Sequence, residues 1–273
     1  MKRIVIFALG MLLATVGAHA DALDIIKARG SLICGTLTNV PPLGFEDKTT
    51  RQVVGFDVDL CNVIAREMGV KVEYRGLSID SRIPELQLGR VDIVAAALGY
   101  TKARAEQIDF TDAHYQIGMI IMTQADSGLT TLAQFNDKRV SAIKGSTLEG
   151  MLRLTVPKAE ILTFPDAPSA FMAMMQDKVL GTATNEMSAA RYKAESKVKL
   201  ANTEPMAYEP TALGVKKGEA ALLAEVNRVL QKLEAAGELD RIWDKWIGSG
   251  NAMGPDFAIP RRKKLTPLSQ LQN

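Results

Sequence analysis

The stretch V-V-G-F-D-V-D-L-C-N-V-I-A-R-E-M-G, residues 53–69, gives the first clear indication of the fold. Residues 57–68 show apolar side chains at helical spacing, and the pattern stops at Gly69, a residue type that often ends helices. The apolar positions are Leu60, Val63, Ile64 and Met68. Apolar runs at 32–38 and 71–77, on either side, predict buried strands. This region is therefore predicted to form a strand–helix–strand unit.

The same alternation of strands and helices continues along the chain. Further strands are predicted at 91–98, 117–123, 139–143, 160–164, 180–184 and 211–215. Further helices are predicted at 81–88, 147–154, 168–178, 186–195, 219–236 and 239–247. Continuous apolar strands separated by helices favour parallel sheets covered on both faces. Because the pattern occurs twice, we predict an α/β fold of two lobes with mainly parallel sheets and a ligand cleft between them.

The N-terminus has the composition of a secretory signal peptide. Two basic residues open the segment 1–20, residues 4–16 are almost wholly apolar, and residues 18–20 form the small-x-small sequence A-H-A. We expect cleavage before Asp21, with an uncleaved N-terminal anchor as the alternative. No later apolar stretch is long enough to span a bilayer, so the mature protein is expected to be exported and soluble.

Charge and residue types narrow the classes of function. Loss of Lys2 and Arg3 with the signal peptide takes the formal net charge from +2 to 0, which argues against nucleic-acid or anionic-membrane partners. The basic run 261–264 is predicted to be a solvated tail. After cleavage His114 is the one remaining histidine, and no Cys/His cluster has metal-ligand spacing. We therefore expect no metal, no cofactor and no nucleophilic catalytic motif.

Two cysteines, Cys34 and Cys61, lie within apolar patterns, one in a predicted strand and one in a predicted helix. An oxidising compartment permits a disulfide between them. Free cysteine also packs as a small hydrophobic residue. We expect two buried thiols, with the disulfide as the alternative.

The stretch V-V-G-F-D-V-D-L at 53–60 resembles a signature of periplasmic substrate-binding proteins of polar amino-acid ABC transporters, the family 3 extracellular solute-binding proteins. Supporting blocks follow in the order that this family shows, and the resemblance covers residues 30 to 250. The blocks are Pro41-Pro42 before Phe45, Arg82-Ile83-Pro84, Val91-Asp92-Ile93, Thr101 with Arg104, Asp109-Phe110, Gly145-Ser146-Thr147 and Trp243-Asp244-Lys245-Trp246.

The resemblance implies how the chain is divided and how it works. It places lobe one at residues 21–115 plus 208–250, lobe two at 116–207 and a C-terminal tail at 251–273. Members of the family bind a solute in an open cleft, close their lobes over it and dock on permease subunits in the inner membrane. We therefore expect a periplasmic protein, monomeric, whose ligand is a small amino-acid-like solute.

The resemblance also implies ligand-binding residues. Arg104 matches the arginine of a T-x-x-R block that binds the ligand α-carboxylate, a task suited to the planar guanidinium. Gly145-Ser146-Thr147 matches a turn whose backbone N–H groups bind that carboxylate from lobe two. The alternative for Ser146 and Thr147 is a helix cap. Arg82 matches an arginine that can face a side-chain carboxylate, with a solvated residue at a helix start as the alternative, and Phe45 is a candidate apolar wall.

Three positions depart from the family pattern. Ala97 and Gly99 stand where relatives often carry Ser or Thr, so only their backbone groups can contact a ligand. Asn185 stands where many relatives carry an Asp that pairs with the ligand ammonium. Because Asn has no charge, the ammonium contact is expected to weaken or to pass to Glu186. The alternative for Asn185 is an ordinary helix start.

These observations predict the substrate-binding component of an ABC importer, not an enzyme. The rival hypothesis is a periplasmic enzyme on the same fold, similar to the cyclohexadienyl dehydratases. Such an enzyme needs a carboxylic acid poised as a general acid beside the ligand. Glu186 is the candidate for that role in the sequence.

Overall fold

The computed structural model of the protein describes residues 21–252 and 254–271, so the predicted signal peptide at 1–20 lies outside the described residues. The helices of the described chain are α1 Ala22–Arg29, α2 Phe56–Glu67, α3 Arg82–Gln87, α4 Lys102–Ala105, α5 Leu148–Thr155, α6 Ala167–Met175, α7 Glu186–Glu195, α8 Ala220–Ala235 and α9 Glu238–Trp246. The strands are β1 Ser31–Leu37, β2 Asn39–Val40, β3 Gly44–Glu46, β4 Val53–Val54, β5 Lys71–Leu77, β6 Ile93–Val94, β7 Ile108–Phe110, β8 Tyr115–Gln124, β9 Arg139–Ile143, β10 Glu160–Phe164, β11 Gly181–Asn185, β12 Leu200–Asn202, β13 Ala207–Thr211 and β14 Gly214–Lys216.

The first large sheet has the strand order β5-β1-β6-β14-β7. β1 runs parallel to both β5 and β6, with Cys34 opposite Tyr74 on one side and Ile93 on the other. β14 runs antiparallel to β6 and β7. Because β14 lies far along the chain, this sheet is completed only after the chain has built the second one.

The second large sheet has the order β10-β9-β11-β8-β12, and β13 also pairs with β8. β9 runs parallel to β10 and β11, whereas β8 is antiparallel to β11, β12 and β13. The chain enters this sheet through β8 and leaves it through β13. These two strands pair with each other, Tyr115 opposite Thr211, so both connections between the sheets lie side by side.

The prediction of an α/β fold of two lobes is confirmed, each lobe with one large sheet, and strands β5, β9 and β10 have the predicted bounds. A small third sheet has the order β2-β3-β4. The expectation of mainly parallel sheets holds for β1, β5 and β6 and for β9, β10 and β11, but the strands that connect the two sheets run antiparallel. The strand expected at 91–98 is shorter, Ile93–Val94, because the chain turns at Ala97 with φ 49°. The strand expected at 211–215 divides into β13 and β14, one in each sheet.

An aromatic cluster anchors helix α2 in the core. The ring of Phe56, only 1% exposed, packs edge-to-face on Tyr115 and on Trp243, each with centroids 5.6 Å apart, and stacks on His114. Such pairs stabilise a fold by about 0.5–1.5 kcal/mol each beyond simple burial. The indole of Trp243 also donates to the carbonyl of Ile259 at 2.7 Å. This cluster ties α2, α9, β8 and the C-terminal tail together.

The expectation of two free buried thiols is wrong, because Cys34 and Cys61 form a disulfide. Both residues are fully buried, as the apolar pattern indicates. α2 packs on β1, and this packing brings the two Cα atoms to 6.4 Å, within the range that a disulfide bridges. Burial in an apolar pattern therefore fits the bridged form as well as the free thiols.

The basic run 261–264, expected to be a solvated tail, is solvated only in part. The side chain of Arg261 is 4% exposed, donates to the carbonyl of His114 at 2.9 Å and forms ion pairs with Glu234 and Asp240. Lys264 is 69% exposed, as expected of a solvated residue. The tail is held on the connecting strand by bridges that include Gln116 opposite Arg262.

Candidate functional site

A cavity of about 60 Å³ lies between the two large sheets. It is lined by Val40, Ile79, Arg82, Ala97, Arg104, Met119, Ile143, Ser146, Thr147, Leu148, Ala167, Thr184, Asn185, Ser188 and Glu209. Of the residues that the sequence analysis assigns to a ligand, the cavity brings six together: Arg82, Ala97, Arg104, Ser146, Thr147 and Asn185. Because ligand pockets commonly measure about 300–1,000 Å³, a solute needs this cleft to open before it can enter.

Arg104 spans the cleft. It lies on the short helix α4, where the hydroxyl of Thr101 accepts a hydrogen bond from its backbone N–H at 3.1 Å. Its Nη1 donates to the carbonyl of Gly99 at 2.8 Å, on its own side, and its Nη2 donates to the carbonyl of Gly145 at 2.9 Å, on the opposite side. Burial lowers the pKa of Arg104, and the nearby carboxylate of Glu209 opposes that shift.

Glu209 is a cavity residue that the sequence analysis missed. It lies on β13 and is 5% exposed, and the hydroxyl of Thr147, which follows β9 of the same sheet, donates to its Oε2. Burial raises the pKa of this carboxyl, whereas Thr147, Arg104 and Arg82 lower it. No periodic pattern marks Glu209, which stands far from Arg104 in the sequence, so only the pairing of β13 with β8 reveals it.

Arg82 supports the turn that precedes Arg104. It is 3% exposed, and its Nε donates to the carbonyl of Ile79 at 2.8 Å. Its Nη1 donates to the carbonyls of Ala96 and Ala97 at 2.8 and 2.7 Å. Burial lowers the pKa of Arg82 to about 9. These backbone contacts give Arg82 a positioning task in addition to its place in the cavity wall.

The turn Gly145-Ser146-Thr147 does not cap helix α5 in the usual way. The hydroxyl and the backbone N–H of Ser146 both donate to the carbonyl of Ile143, at 2.6 and 3.1 Å. Thr147 occupies the N-cap position, yet its side chain makes no capping hydrogen bond and points to Glu209 instead. The backbone N–H of Ser146 is therefore already engaged, and a ligand role for this turn stays a prediction.

Asn185 caps helix α7, since its Oδ1 accepts a hydrogen bond from the backbone N–H of Ser188 at 2.9 Å. It is both a helix start and a member of the cavity wall. Glu186, the residue to which the ammonium contact is expected to pass, does not line the cavity. The carboxylate of Glu186 pairs with Arg262 of the tail and accepts from the backbone N–H of Gly118 at 3.3 Å.

Three predicted residues, Gly99, Phe45 and Glu186, lie outside the cavity lining. Gly99 accepts from Arg104 through its carbonyl, and a side chain at this position would overlap the carboxylate of Glu209. Phe45 packs edge-to-face on Trp246 with centroids 5.8 Å apart. It lines a separate cavity of about 530 Å³. Ligand roles for these three residues stay predictions without support from their positions.

Within residues 21–252 and 254–271, no group of three or more His, Cys, Asp or Glu side chains is arranged to hold a metal ion. No helix of that part of the chain has the length and apolar character needed to cross a membrane.

Comparison with known proteins identifies the family. Residues 32–249 match the bacterial extracellular solute-binding proteins, family 3, and the chain belongs to this family. The resemblance inferred from the 53–60 stretch is confirmed. The match ends before the tail, so residues 250–273 lie beyond it.

Named relatives are amino-acid-binding proteins. The chain is 28% identical over 231 residues to the ABC transporter glutamine-binding protein GlnH of Bacillus subtilis, covering 83% of this chain and 85% of that protein. It is 26% identical over 254 residues to ABC transporter arginine-binding protein 1 of Escherichia coli, covering 90% and 99%. A solved structure of the ancestral amino acid-binding protein AncCDT-1, a precursor of cyclohexadienyl dehydratase, aligns with a TM-score of 0.76 and 32% identity, covering 83% of this chain and 99% of that one.

Proposed function

We propose that this protein captures a small amino acid or amino-acid-like solute and delivers it to an ABC importer. One observation carries the proposal: a partly buried arginine, Arg104, lies in the cleft between two sheets and hydrogen-bonds both walls. Because a guanidinium binds a carboxylate with two parallel hydrogen bonds, Arg104 can exchange the two backbone carbonyls for the carboxylate of a solute. Membership of the family supports this function.

Closure of two lobes is the proposed mechanism of capture. We take residues 21–115 and 208–250 as lobe one and 116–207 as lobe two. The paired strands β8 and β13 connect them and can act as the hinge, since a few residues at such connections absorb a domain rotation. Arg104 stays on lobe one through Gly99 when the contact with Gly145 opens. A solute that contacts both lobes then favours the closed state by those extra contacts.

The cellular setting follows from the N-terminus and the family. We propose that residues 1–20 direct export and are removed, so that the mature monomer works in the periplasm and docks on permease subunits in the inner membrane. Asp21 would then begin the mature chain, where its carboxylate caps α1 by accepting from the N–H of Leu23 at 2.9 Å. Edman sequencing or intact mass of protein from a periplasmic extract tests this, and a full-length chain in the membrane fraction would contradict it.

The identity of the solute is tested by a thermal-shift screen. The panel comprises the twenty standard L-amino acids, L-cystine, opines and small carboxylates, because a solute that binds only the folded state raises the unfolding temperature. Glutamine and arginine head the panel since relatives are named for them. A concentration-dependent rise with at least one amino acid supports the proposal. A panel in which only molecules without a carboxylate bind would contradict it.

The enzyme hypothesis has one structural observation in its favour, the buried carboxyl of Glu209 with its raised pKa. Glu186, the candidate from the sequence, is held by Arg262 instead. Each solute that stabilises the protein is therefore incubated with it and analysed by mass spectrometry. Quantitative recovery of the unchanged solute supports a binding protein, whereas a new product that disappears in Glu209→Gln would favour the enzyme.

A further inference from the structure

The cavity wall contains both positively and negatively charged side chains. Arg82 and Arg104 supply positive charge, and Glu209 is the acidic side chain among the lining residues that the structure describes. Glu209 interacts electrostatically with both arginines. It makes its direct hydrogen bond with the neutral hydroxyl of Thr147. A buried carboxylate that lacks a directly bonded cation is costly unless another group compensates it.

Three side-chain acceptors near the cavity, on Asn185, Glu186 and Asp57, are engaged within the protein. The Oδ1 of Asn185 accepts from Ser188 to cap α7, and the carboxylate of Glu186 pairs with Arg262 outside the cavity. The buried carboxylate of Asp57 accepts from the backbone N–H of Ala97 at 2.9 Å and does not line the cavity. Glu209 is therefore the acceptor best placed to meet a cationic group of a bound solute.

The surroundings of Glu209 hold its carboxylate in one place. Gly99 leaves the space that the carboxylate fills, because a Cβ at this position would overlap it. Strand β13 fixes the backbone, with Glu209 opposite Ile117 of β8. The side chain lies against Gly99, beside the first sheet, and accepts a hydrogen bond from Thr147, beside the second, so Glu209 contacts both sides of the closed cleft. A rotamer held in this way loses little entropy when a ligand binds.

We propose that Glu209 binds the free α-ammonium group of the solute while Arg104 binds its α-carboxylate. This inference rests on the proposed function and narrows the solute class to zwitterionic α-amino acids with an unmodified amino group. The adjacent cation and anion of the cavity match the adjacent carboxylate and ammonium of such a head group. Solutes whose nitrogen is acylated or absent leave the Glu209 carboxylate unpaired in the closed cleft and bind weakly.

The test uses isothermal titration calorimetry with the full mature chain, and the probes are the twenty standard L-amino acids and their N-acetyl derivatives. The wild type is expected to bind at least one free amino acid and to bind its N-acetyl derivative at least about tenfold more weakly, the lower range for a charged hydrogen bond. Glu209→Gln is expected to bind that amino acid roughly 10- to 100-fold more weakly. Glu204→Gln, an exposed change on the segment before β13, serves as the matched control and should bind as the wild type does.

The outcomes separate this inference from the proposed function. If the wild type binds free and N-acetylated amino acids equally well, the assignment of Glu209 is wrong although the binding function stands. The assignment of Glu209 is also wrong, and the binding function also stands, if Glu186→Gln weakens binding of the amino acid and Glu209→Gln does not. If no free amino acid binds the wild type but an opine or a small carboxylate does, the assignment of Glu209 is wrong and the binding function stands, and if no solute of the panel binds, both are wrong. The wild-type comparison needs no variant, so equal binding of the two probes overturns the assignment even if Glu209→Gln fails to fold by circular dichroism.

Discussion

The buried carboxylate of Asp57 accepts a hydrogen bond at 2.9 Å from the backbone N–H of Ala97, forty residues further along the chain. Ala97 has φ 49°, a left-handed conformation that is about 1–2 kcal/mol unfavourable for residues other than glycine. Arg82 holds the same residue from the other side, through its carbonyl at 2.7 Å. Asp57 and Arg82 thus stabilise the turn that leads to Arg104. Asp57 of the 53–60 stretch therefore supports the backbone turn beside the cavity.

Asp57→Asn is expected to change how stability depends on pH. Burial raises the pKa of Asp57 from 3.8 to about 7, so the folded state holds a proton that the unfolded state releases between about pH 4 and 7. Its contribution to stability is therefore present at low pH and lost as pH rises to 7. Relative to the wild type, Asp57→Asn should gain up to roughly 1 kcal/mol of unfolding free energy per pH unit across this window. Urea unfolding at pH 4, 5.5 and 7 measures it.

The effect of His114 on the pH dependence of stability is opposite to that of Asp57. Burial, aided by the charge of Arg261, lowers the pKa of His114 from 6.5 to about 3, so between these values the unfolded state binds the extra proton. The neutral buried ring therefore contributes stability above pH 6.5 that is lost as pH falls. His114→Gln should lose stability relative to the wild type as pH rises, opposite to Asp57→Asn. Two variants with the same pH trend would contradict these assignments.

Arg104→Ala is expected to weaken solute binding by about 2–5 kcal/mol, the usual loss when one partner of a buried charge pair is removed. Its side chain donates to two backbone carbonyls and interacts with Glu209 through charge, so the fold should be retained. Calorimetric titration with the best amino acid from the screen measures the change. Arg153→Ala is the control, because Arg153 is 65% exposed on α5 and pairs with Glu149. Equal affinities for the two variants, both folded by circular dichroism, would remove Arg104 from the site.

Local periodicity predicts much of this fold. α7 and β9 have the bounds that the sequence indicates. β9 has a buried interior, and α7 begins directly after Asn185, a favoured N-cap residue. Short elements such as α4, with four residues, are missed since they span too little chain for a pattern. The antiparallel direction of the connecting strands is also missed, because strand direction depends on partners distant in the sequence.

The site is predicted less completely than the fold. Arg104, Thr147 and Asn185 are recognised from blocks of neighbouring residues, and all three line the cavity. Glu209 belongs to no such block and reaches the cavity only because β13 returns beside β8. Glu186 looks equally suitable in the sequence, yet its carboxylate meets Arg262 of the tail. Which acid faces the cleft is a property of tertiary structure.

Reduction of the disulfide is expected to destabilise the protein without abolishing the fold. Cys34 and Cys61 close a loop with a sequence separation of 27 residues. A bridge over such a loop stabilises the folded state by about 3–4 kcal/mol, mainly by limiting the unfolded chain. Urea unfolding with and without dithiothreitol measures the difference. Cys34→Ala should unfold at one urea concentration in both conditions, and a wild type insensitive to dithiothreitol would contradict the prediction.

The last prediction concerns the tail beyond the family match. Arg261 is 4% exposed and links the tail to α8 and α9 through Glu234 and Asp240, and to the connecting strand through the carbonyl of His114. Arg261→Ala leaves these acceptors without their donor, so unfolding free energy should fall by about 1.5–3 kcal/mol.

The control variant is Lys264→Ala, which removes another ion pair of Asp240, but Lys264 is 69% exposed. Because exposed pairs are screened by water and salt, that variant should lose less than about 1 kcal/mol. Urea unfolding of both variants at one ionic strength compares them. Equal losses would mean that the tail is held by its backbone contacts, such as Thr266 opposite Ala113, and not by the buried guanidinium.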